Sequence, residues 1–260
     1  MKKKNLFINQ VINSITNFDS YKEVSTHSLS STFIYFLILI LIYTIIMTIG
    51  ITYTTRAKIS KAQDFIRNEV SDINYSNGKL SVNNDEYSSF FGDYIIIDTS
   101  DNANLENSNA QMIFGKEKFY IRAEQVNYEF DYKSFFKQDI DKNTLIDALD
   151  VNKYTGLIIV ISLFGAFIVL SISTLLDILV IALIGFIMSR VTGNTNIKFK
   201  NAFNMATHAI TLSVILGMIY FVINTFTGFY VKYFSTMYTL LATIYMATAV
   251  LLLNSDENNK

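Results

Sequence analysis

The chain has 260 residues, of which 51% are hydrophobic, and it contains neither cysteine nor proline. A mean hydropathy of +0.31 is too high for an ordinary soluble domain and too low for a chain that lies wholly in lipid. The absence of cysteine excludes a disulfide framework, a thiolate nucleophile and a Cys-based metal site. The net charge of −1 comes without any basic cluster that alternates with aromatic residues, so we expect no nucleic-acid partner.

The small net charge hides a division along the chain. Residues 54–155 carry 17 acidic and 12 basic side chains, whereas the remainder carries 5 acidic and 9 basic ones. Basic residues that flank apolar runs are typical of the cytoplasmic face of a membrane. The charge pattern therefore predicts that both termini lie in the cytoplasm and that the acidic segment lies outside.

The N-terminal part predicts a peripheral helix followed by an anchor. In residues 1–32, apolar side chains recur at spacings of three and four after a run of three lysines. We expect an amphipathic cytoplasmic helix in the headgroup region, and the alternative is a helix packed on the rest of the protein. Residues 33–53 carry no charge and are long enough for one span. We expect this span to remain as an anchor rather than to be cleaved as a signal peptide.

Residues 54–153 predict a small α+β extracytoplasmic domain between helical stalks. Isoleucine, alanine and valine at helical spacing indicate that the first helix continues to about Asn74, and Asn77-Gly78 indicates a turn. Short strands are predicted at residues 79–82, 94–98, 111–114, 119–122 and 126–132, with a polar loop at 101–109 and a helix at 139–152.

The C-terminal half predicts three further spans. Residues 154–190 enclose one formal charge, Asp177, and a helix of that length would be roughly 50 Å long. We predict one long span here, although a split into two stays open. The absence of proline indicates continuous helices, which disfavours a transporter with broken spans. The remaining predicted segments are a cytoplasmic basic loop at 191–201, spans at 202–225 and 234–253, and a cytoplasmic tail at 254–260.

The predicted fold is therefore an α-helical membrane protein with four transmembrane helices, with the α+β domain inserted between the first and second. Its expected location is the bacterial cytoplasmic membrane. The arrangement resembles an uncharacterised family of bacterial membrane proteins that includes the maltodextrin utilisation protein of bacilli. The matching stretches are SNGKLSV, YIIIDTS, MIFGKEKFYIR and FDYKSF between the first two spans.

The membrane part also resembles the Yip-type fold. A long span, the loop TGNTNIKFK and a following span that opens NAFNMATHAITLSVIL carry this resemblance. Yip-type spans commonly hold a tyrosine and a proline near positions 208–212, and this chain has no proline there. Neither resemblance implies a catalytic residue.

Four residues are candidates for an interhelical polar contact: Asp177, Asn204, His208 and Thr211. The last three share one helical face of the third predicted span, and such a polar stripe is more typical of helix–helix contact than of ligand binding. Asp177 has a similar predicted depth, so we expect it to meet His208, directly or through water. We predict no catalytic, cofactor-binding or metal-binding residue, since the only histidines are His27 and His208 and no zinc or phosphate motif occurs.

Two functions remain open from the sequence. The first is a non-enzymatic accessory or adaptor subunit that binds another membrane protein or itself, in sugar uptake or an envelope process. The alternative is a membrane sensor whose extracytoplasmic domain binds a ligand and relays the event through spans 1 and 2. A transporter is the less favoured third possibility.

Overall fold

The structure, a computed structural model, describes residues 6–83, 88–90, 94–100, 109–123, 126–193 and 197–258. The chain divides into two compact units. The first, which we call the helical unit, comprises Met1–Tyr53 and Leu157–Lys260, and the second, the sheet unit, comprises Thr54–Gly156. Most of the predicted loop 101–109 lies outside the described residues.

The described residues form eight α-helices, and four helical stretches are long and apolar enough to cross a membrane. These four stretches are Leu29–Asn68, Lys142–Val191, Phe199–Thr227 and Phe234–Leu253. The helices are α1 (Leu6–Thr16), α2 (Ser20–Ser25), α3 (Leu29–Asn68), α4 (Lys142–Ala148), α5 (Val151–Val191), α6 (Phe199–Ala209), α7 (Thr211–Thr227) and α8 (Phe234–Asn258). Within the second apolar stretch, Val151–Val191 form one unbroken helix, α5, and the interpretation of residues 154–190 as a single span stays a prediction. Helices α3 and α5 each contribute residues to both units.

Small side chains allow close helix packing inside the helical unit. Ala202, Ala206 and Ala209 of α6 are fully buried at the centre of its apolar core. On α3, a Cβ added to Gly50 would come within 2.7 Å of the Phe221 ring on α7. Small residues at such positions let helix backbones approach closely. In lipid, where the hydrophobic effect does not drive helix association, such close packing stabilises helix pairs.

The third apolar stretch, Phe199–Thr227, covers the span predicted at 202–225 and contains two consecutive helices, α6 and α7. Helix α6 ends at Ala209 and α7 begins at Thr211, with Ile210 between them at φ −75° and ψ −11°. The hydroxyl of Thr207 donates to the Phe203 carbonyl at 2.9 Å, a back-bond that bends helices. Ile210 itself keeps right-handed helical dihedral angles, and its carbonyl accepts from the Val214 N–H at 2.9 Å, so the helical path continues across it.

The N-terminal segment packs on neighbouring helices through one face, and its location in the headgroup region stays a prediction. It forms two short helices, and Ser14 on α1 and Tyr21 on α2 are buried. The Tyr21 hydroxyl donates to the Ser14 carbonyl at 2.9 Å and the Tyr245 hydroxyl of α8 donates to the Ile15 carbonyl at 3.1 Å. Polar partners available on the neighbouring helices explain why the segment packs against them.

The sheet unit contains two small sheets. The strands are β1 (Ile73–Ser76), β2 (Lys79–Val82), β3 (Ser88–Phe90), β4 (Ile95–Ile97), β5 (Met112–Phe114), β6 (Lys118–Ala123), β7 (Val126–Asp131) and β8 (Ile140–Asp141). One sheet has the order β2-β1-β8, and the other has the order β3-β4-β5-β6-β7. All pairings are antiparallel except β4 with β5.

Local turn chemistry sets the β1–β2 hairpin. Asn77 and Gly78 both have positive φ, 53° and 85°, and Asn-Gly is the pair that such a two-residue turn favours. The helix predicted to continue to Asn74 ends earlier, because residues from Ile73 pair with β2 and β8 instead.

The helix predicted at 139–152 is also shorter. Its first residues form β8, and the Asp141 carboxylate caps the following helix by accepting from the Thr144 N–H at 2.7 Å.

Candidate functional site

A buried polar cluster surrounds His208 in the helical unit. The His208 ring stacks on Tyr35 of α3, with centroids 4.2 Å apart, and its Nδ1 lies 2.7 Å from the Ser14 hydroxyl. The ring of His27 meets it edge-on at 6.2 Å. Ser14 and His208 are 3% and 1% exposed, so substrate has no access to them.

The hydrogen bonds around Ser14 fix the tautomer of His208. The Ser14 hydroxyl donates its only proton to the Gln10 carbonyl at 2.6 Å. It must therefore accept from His208, which carries its proton on Nδ1. His208 Nε2 is then a buried acceptor, and neither it nor His27 Nδ1 has a hydrogen-bond partner among the described residues. A serine whose proton is engaged by a carbonyl is not an activated nucleophile, so this pair holds helices together.

Asn204 and Thr211 complete the cluster, as the stripe predicted, but with other partners. Asn204 accepts from the Thr32 hydroxyl at 2.8 Å and donates to the carbonyls of Ser25 and His27 at 3.3 and 2.8 Å. The Thr211 hydroxyl lies 2.8 Å from the Tyr35 hydroxyl. The stripe therefore joins α6 and α7 to α3 and to the N-terminal segment.

Asp177 does not form the direct contact with His208 that we predicted. It is half-buried on α5, and no hydrogen bond or ion pair joins it to His208 within the described residues, since the partners of His208 come from α1 and α3. Depth along two helices does not say which faces meet, which explains why the direct contact is absent; the contact through water stays a prediction.

The cluster predicts which residue pairs are energetically coupled. A double-mutant cycle of Ser14→Ala and His208→Phe, measured by thermal unfolding of the full-length protein, should give a coupling of about 0.6–1.7 kcal/mol, the scale of polar contacts in membranes. A parallel cycle of Asp177→Asn and His208→Phe is the control, and it should be additive within about 0.5 kcal/mol. Coupling in the second cycle and additivity in the first would restore the Asp177 contact.

The sheet unit holds a cavity of about 300 Å³. Its walls come from α3, α4 and strands of both sheets, and nearly every lining side chain is apolar. The lining residues are Ala62, Phe65, Ile66, Ile73, Tyr75, Leu80, Ile95, Ile97, Met112, Phe114, Tyr132, Phe136, Ile140, Asp141, Leu145 and Leu149.

The hydroxyl protons in this lining are already engaged, and its carboxylate caps a helix. The Tyr132 hydroxyl donates to the Gly115 carbonyl at 2.9 Å, and the Tyr75 hydroxyl donates to the Phe136 carbonyl at 3.2 Å. The hydrogen bonds from Thr144 hold the pKa of Asp141 below its usual range, so this carboxylate stays charged and occupied as a helix cap. Burial raises the pKa of Tyr132, which keeps its hydroxyl protonated and donating.

No sequence pattern indicated this cavity, because its lining is assembled from separate elements whose packing no local pattern specifies. Among the described residues no group of three or more His, Cys, Asp or Glu is placed to hold a metal ion. The apolar cavity is therefore the candidate ligand site of the sheet unit.

The fold defines a mostly helical protein with four helices long enough to span a membrane and a small sheet region between the first two. The chain belongs to the family described as Protein of unknown function (DUF1189), which it matches over residues 8–250. No curated protein and no solved structure matches it.

Proposed function

We propose that the chain is an integral protein of the bacterial cytoplasmic membrane, with both termini in the cytoplasm and the sheet unit outside. Four apolar helical stretches support the insertion. Large apolar side chains are exposed along α5, among them Ile161, Phe164 and Val169 at 63–65%, and lipid would cover them. The charge division between residues 54–155 and the remainder supports the orientation.

Single cysteines test the orientation, since the chain has none of its own. We expect Asn127→Cys, on an exposed position of β7, to react with a membrane-impermeant maleimide on intact cells. Lys200→Cys, near the start of α6, should react only after the cells are permeabilised. The reverse pattern would show that the protein is inserted the other way round.

We propose further that the protein is a non-enzymatic membrane receptor whose sheet unit binds a ligand and passes the event to the helices. The cavity is the observation that carries this proposal, because residues of α3 and α4 line it together. Within the sheet unit, hydrogen bonds also join α3 to α4 and to the start of α5. Gln63 of α3 donates to the Ile146 carbonyl of α4 at 2.8 Å, and Arg56 of α3 donates to Asn152 of α5 at 3.1 Å. A ligand that moves either segment would act directly on α3 and α5.

Filling the cavity with a side chain tests the relay. Ala62→Leu adds three carbons to the cavity wall, and Ala57→Leu makes the same change on an exposed position of the same helix. In a background that carries Val191→Cys at the exposed end of α5, we expect Ala62→Leu to change the maleimide reaction rate at least twofold. The Ala57→Leu control should leave the rate unchanged. Equal rates in both variants would contradict a relay along α5.

An adaptor or accessory subunit is the second candidate, and Gly165 favours it. A Cβ added to Gly165 of α5 would meet nothing within 4 Å, although glycine weakens a helix interior by about 1 kcal/mol relative to alanine. Small residues on membrane helices permit close approach of another helix, from a second copy or from a partner. The resemblance to a maltodextrin utilisation protein would place such a partner in sugar uptake.

The Yip-like assignment of the membrane part belongs to this proposal as well. The boundary between α6 and α7 at Ile210 falls within the positions where Yip-type spans hold their tyrosine and proline, and the proline itself is absent from this chain. A larger side chain at Gly165 tests the adaptor function. If another helix packs against this position, Gly165→Leu should abolish chemical cross-linking of the protein to that neighbour. An unchanged cross-linking pattern would leave the receptor as the better account.

A further inference from the structure

The chemistry of the cavity in the sheet unit restricts what it can bind. A polar ligand gives up hydrogen bonds to water when it binds. If the site does not replace them, the loss opposes binding. The hydroxyls of Tyr75 and Tyr132 are bonded to backbone carbonyls, and the Asp141 carboxylate caps α4. None of the three has a proton left to donate to a sugar, a peptide or an anion, and the rest of the lining is apolar.

The size of the cavity suits a small apolar group or part of a long one. Its volume of about 300 Å³ lies at the lower limit of small-molecule sites. An engineered apolar cavity of about 150 Å³ stays dry and takes one benzene, so twice that volume corresponds to roughly twelve carbon atoms. Phe136 lines the cavity and is 42% exposed, so the wall reaches the surface of the unit.

The lining shape also favours a flexible occupant over a flat one. Branched and aromatic side chains reach the cavity from several directions, with Phe65 on α3, Leu80 on β2, Phe114 on β5 and Leu145 on α4. An unbranched chain can bend to follow such a wall. For a protein held in a membrane, lipids are the nearest source of chains of this kind.

We propose that the cavity binds one aliphatic chain of a membrane amphiphile. This inference rests on the proposed receptor function and names its ligand class. The aliphatic chain of the ligand enters the cavity without breaking any hydrogen bond of the lining. The polar head of the amphiphile stays in water. The site therefore distinguishes amphiphiles by chain length and saturation, not by head group.

Photolabelling of the full-length protein tests the proposal. The protein is placed in nanodiscs without any dodecyl detergent and exposed to one of two probes, a palmitate analogue with a diazirine in its chain or a phosphatidylcholine with the same chain. Cross-linked peptides are located by mass spectrometry. Labelling of the four apolar spans is the internal standard, because both probes dissolve in the bilayer.

We expect label on peptides that contain Leu80, Phe114 or Leu145, competed by unlabelled palmitate. The Ala62→Leu variant should lose at least fivefold of this label relative to the spans, and Ala57→Leu should lose none. Label from the palmitate probe alone assigns the chain to a free fatty acid, and label from the phosphatidylcholine probe assigns it to a bilayer lipid; either supports the proposal. Background labelling with both probes would overturn the proposal, as would equal labelling of the two variants.

The outcome is separable from that of the receptor proposal. Labelling of the cavity together with an unchanged maleimide reaction rate in the Val191→Cys background would support the ligand site and contradict the relay. A changed rate without any labelling would keep the relay and remove the aliphatic ligand.

Discussion

Ile96→Asp should unfold the sheet unit. Ile96 is 4% exposed in the middle of β4, opposite Ile113 of β5 in the parallel pair, and both belong to one buried cluster with Ala110. A carboxylate there loses its hydration without gaining a partner, and an uncompensated buried charge costs about 3–5 kcal/mol. This cost is comparable with the whole stability of a small domain, about 5–15 kcal/mol. We expect limited proteolysis to cut the sheet unit at many sites in this variant.

A matched control separates the effect of burial from that of charge. Ser81→Asp introduces the same carboxylate at an exposed position of β2, where water continues to solvate it, so its proteolysis pattern should match that of the unchanged protein. Equal protease resistance of Ile96→Asp would mean that β4 is not a buried strand.

Asn204→Leu should release the N-terminal segment from the helical unit. Asn204 is fully buried and makes three hydrogen bonds, one to the Thr32 hydroxyl and two to carbonyls at the end of that segment. Leucine has a similar volume but makes none of these three bonds, although Asn201 still donates to the Ser25 carbonyl at 3.0 Å. At about 0.6–1 kcal/mol for each bond, the loss is about 2–3 kcal/mol, which lowers the melting temperature by roughly 4–12 °C for a chain of this size.

Two measurements check this second prediction. The melting temperature is followed in detergent, and trypsin cleavage after Lys22 on α2 reports release of the segment. Asn13→Leu is the control, because Asn13 is exposed on α1. Faster cleavage with a lower melting temperature is expected for Asn204→Leu only. If both variants behave like the unchanged protein, the contacts of Asn204 do not hold the segment.

The sequence predicted those parts of the fold that local patterns determine. Apolar runs long enough for a membrane and the Asn77-Gly78 turn both depend on neighbouring residues, and the structure contains four such helices and that hairpin. Strand β1 was missed because Ile73 also continues the helical spacing of the preceding residues. Only the pairing of β1 with β2 and β8, which is not local, decides between a helix and a strand here.

The candidate site could be predicted only in part for the same reason. The stripe of Asn204, His208 and Thr211 indicated a polar helix face, but the partner of His208 is Ser14, 194 positions away. A helical pattern gives the direction of a face and not the identity of its neighbour. No sequence pattern corresponds to the cavity, because a cavity results from how separate elements pack.

Hydrogen exchange of the full-length protein in nanodiscs tests the receptor proposal most directly. The Ala62→Leu variant, which fills part of the cavity, is compared with Ala57→Leu by mass spectrometry. We predict that Ala62→Leu changes deuterium uptake in the cavity lining and also in peptides of α3 before Tyr53 and of α5 after Leu157, which belong to the helical unit. A change confined to residues 54–156 would show that the sheet unit responds alone, and it would contradict the relay.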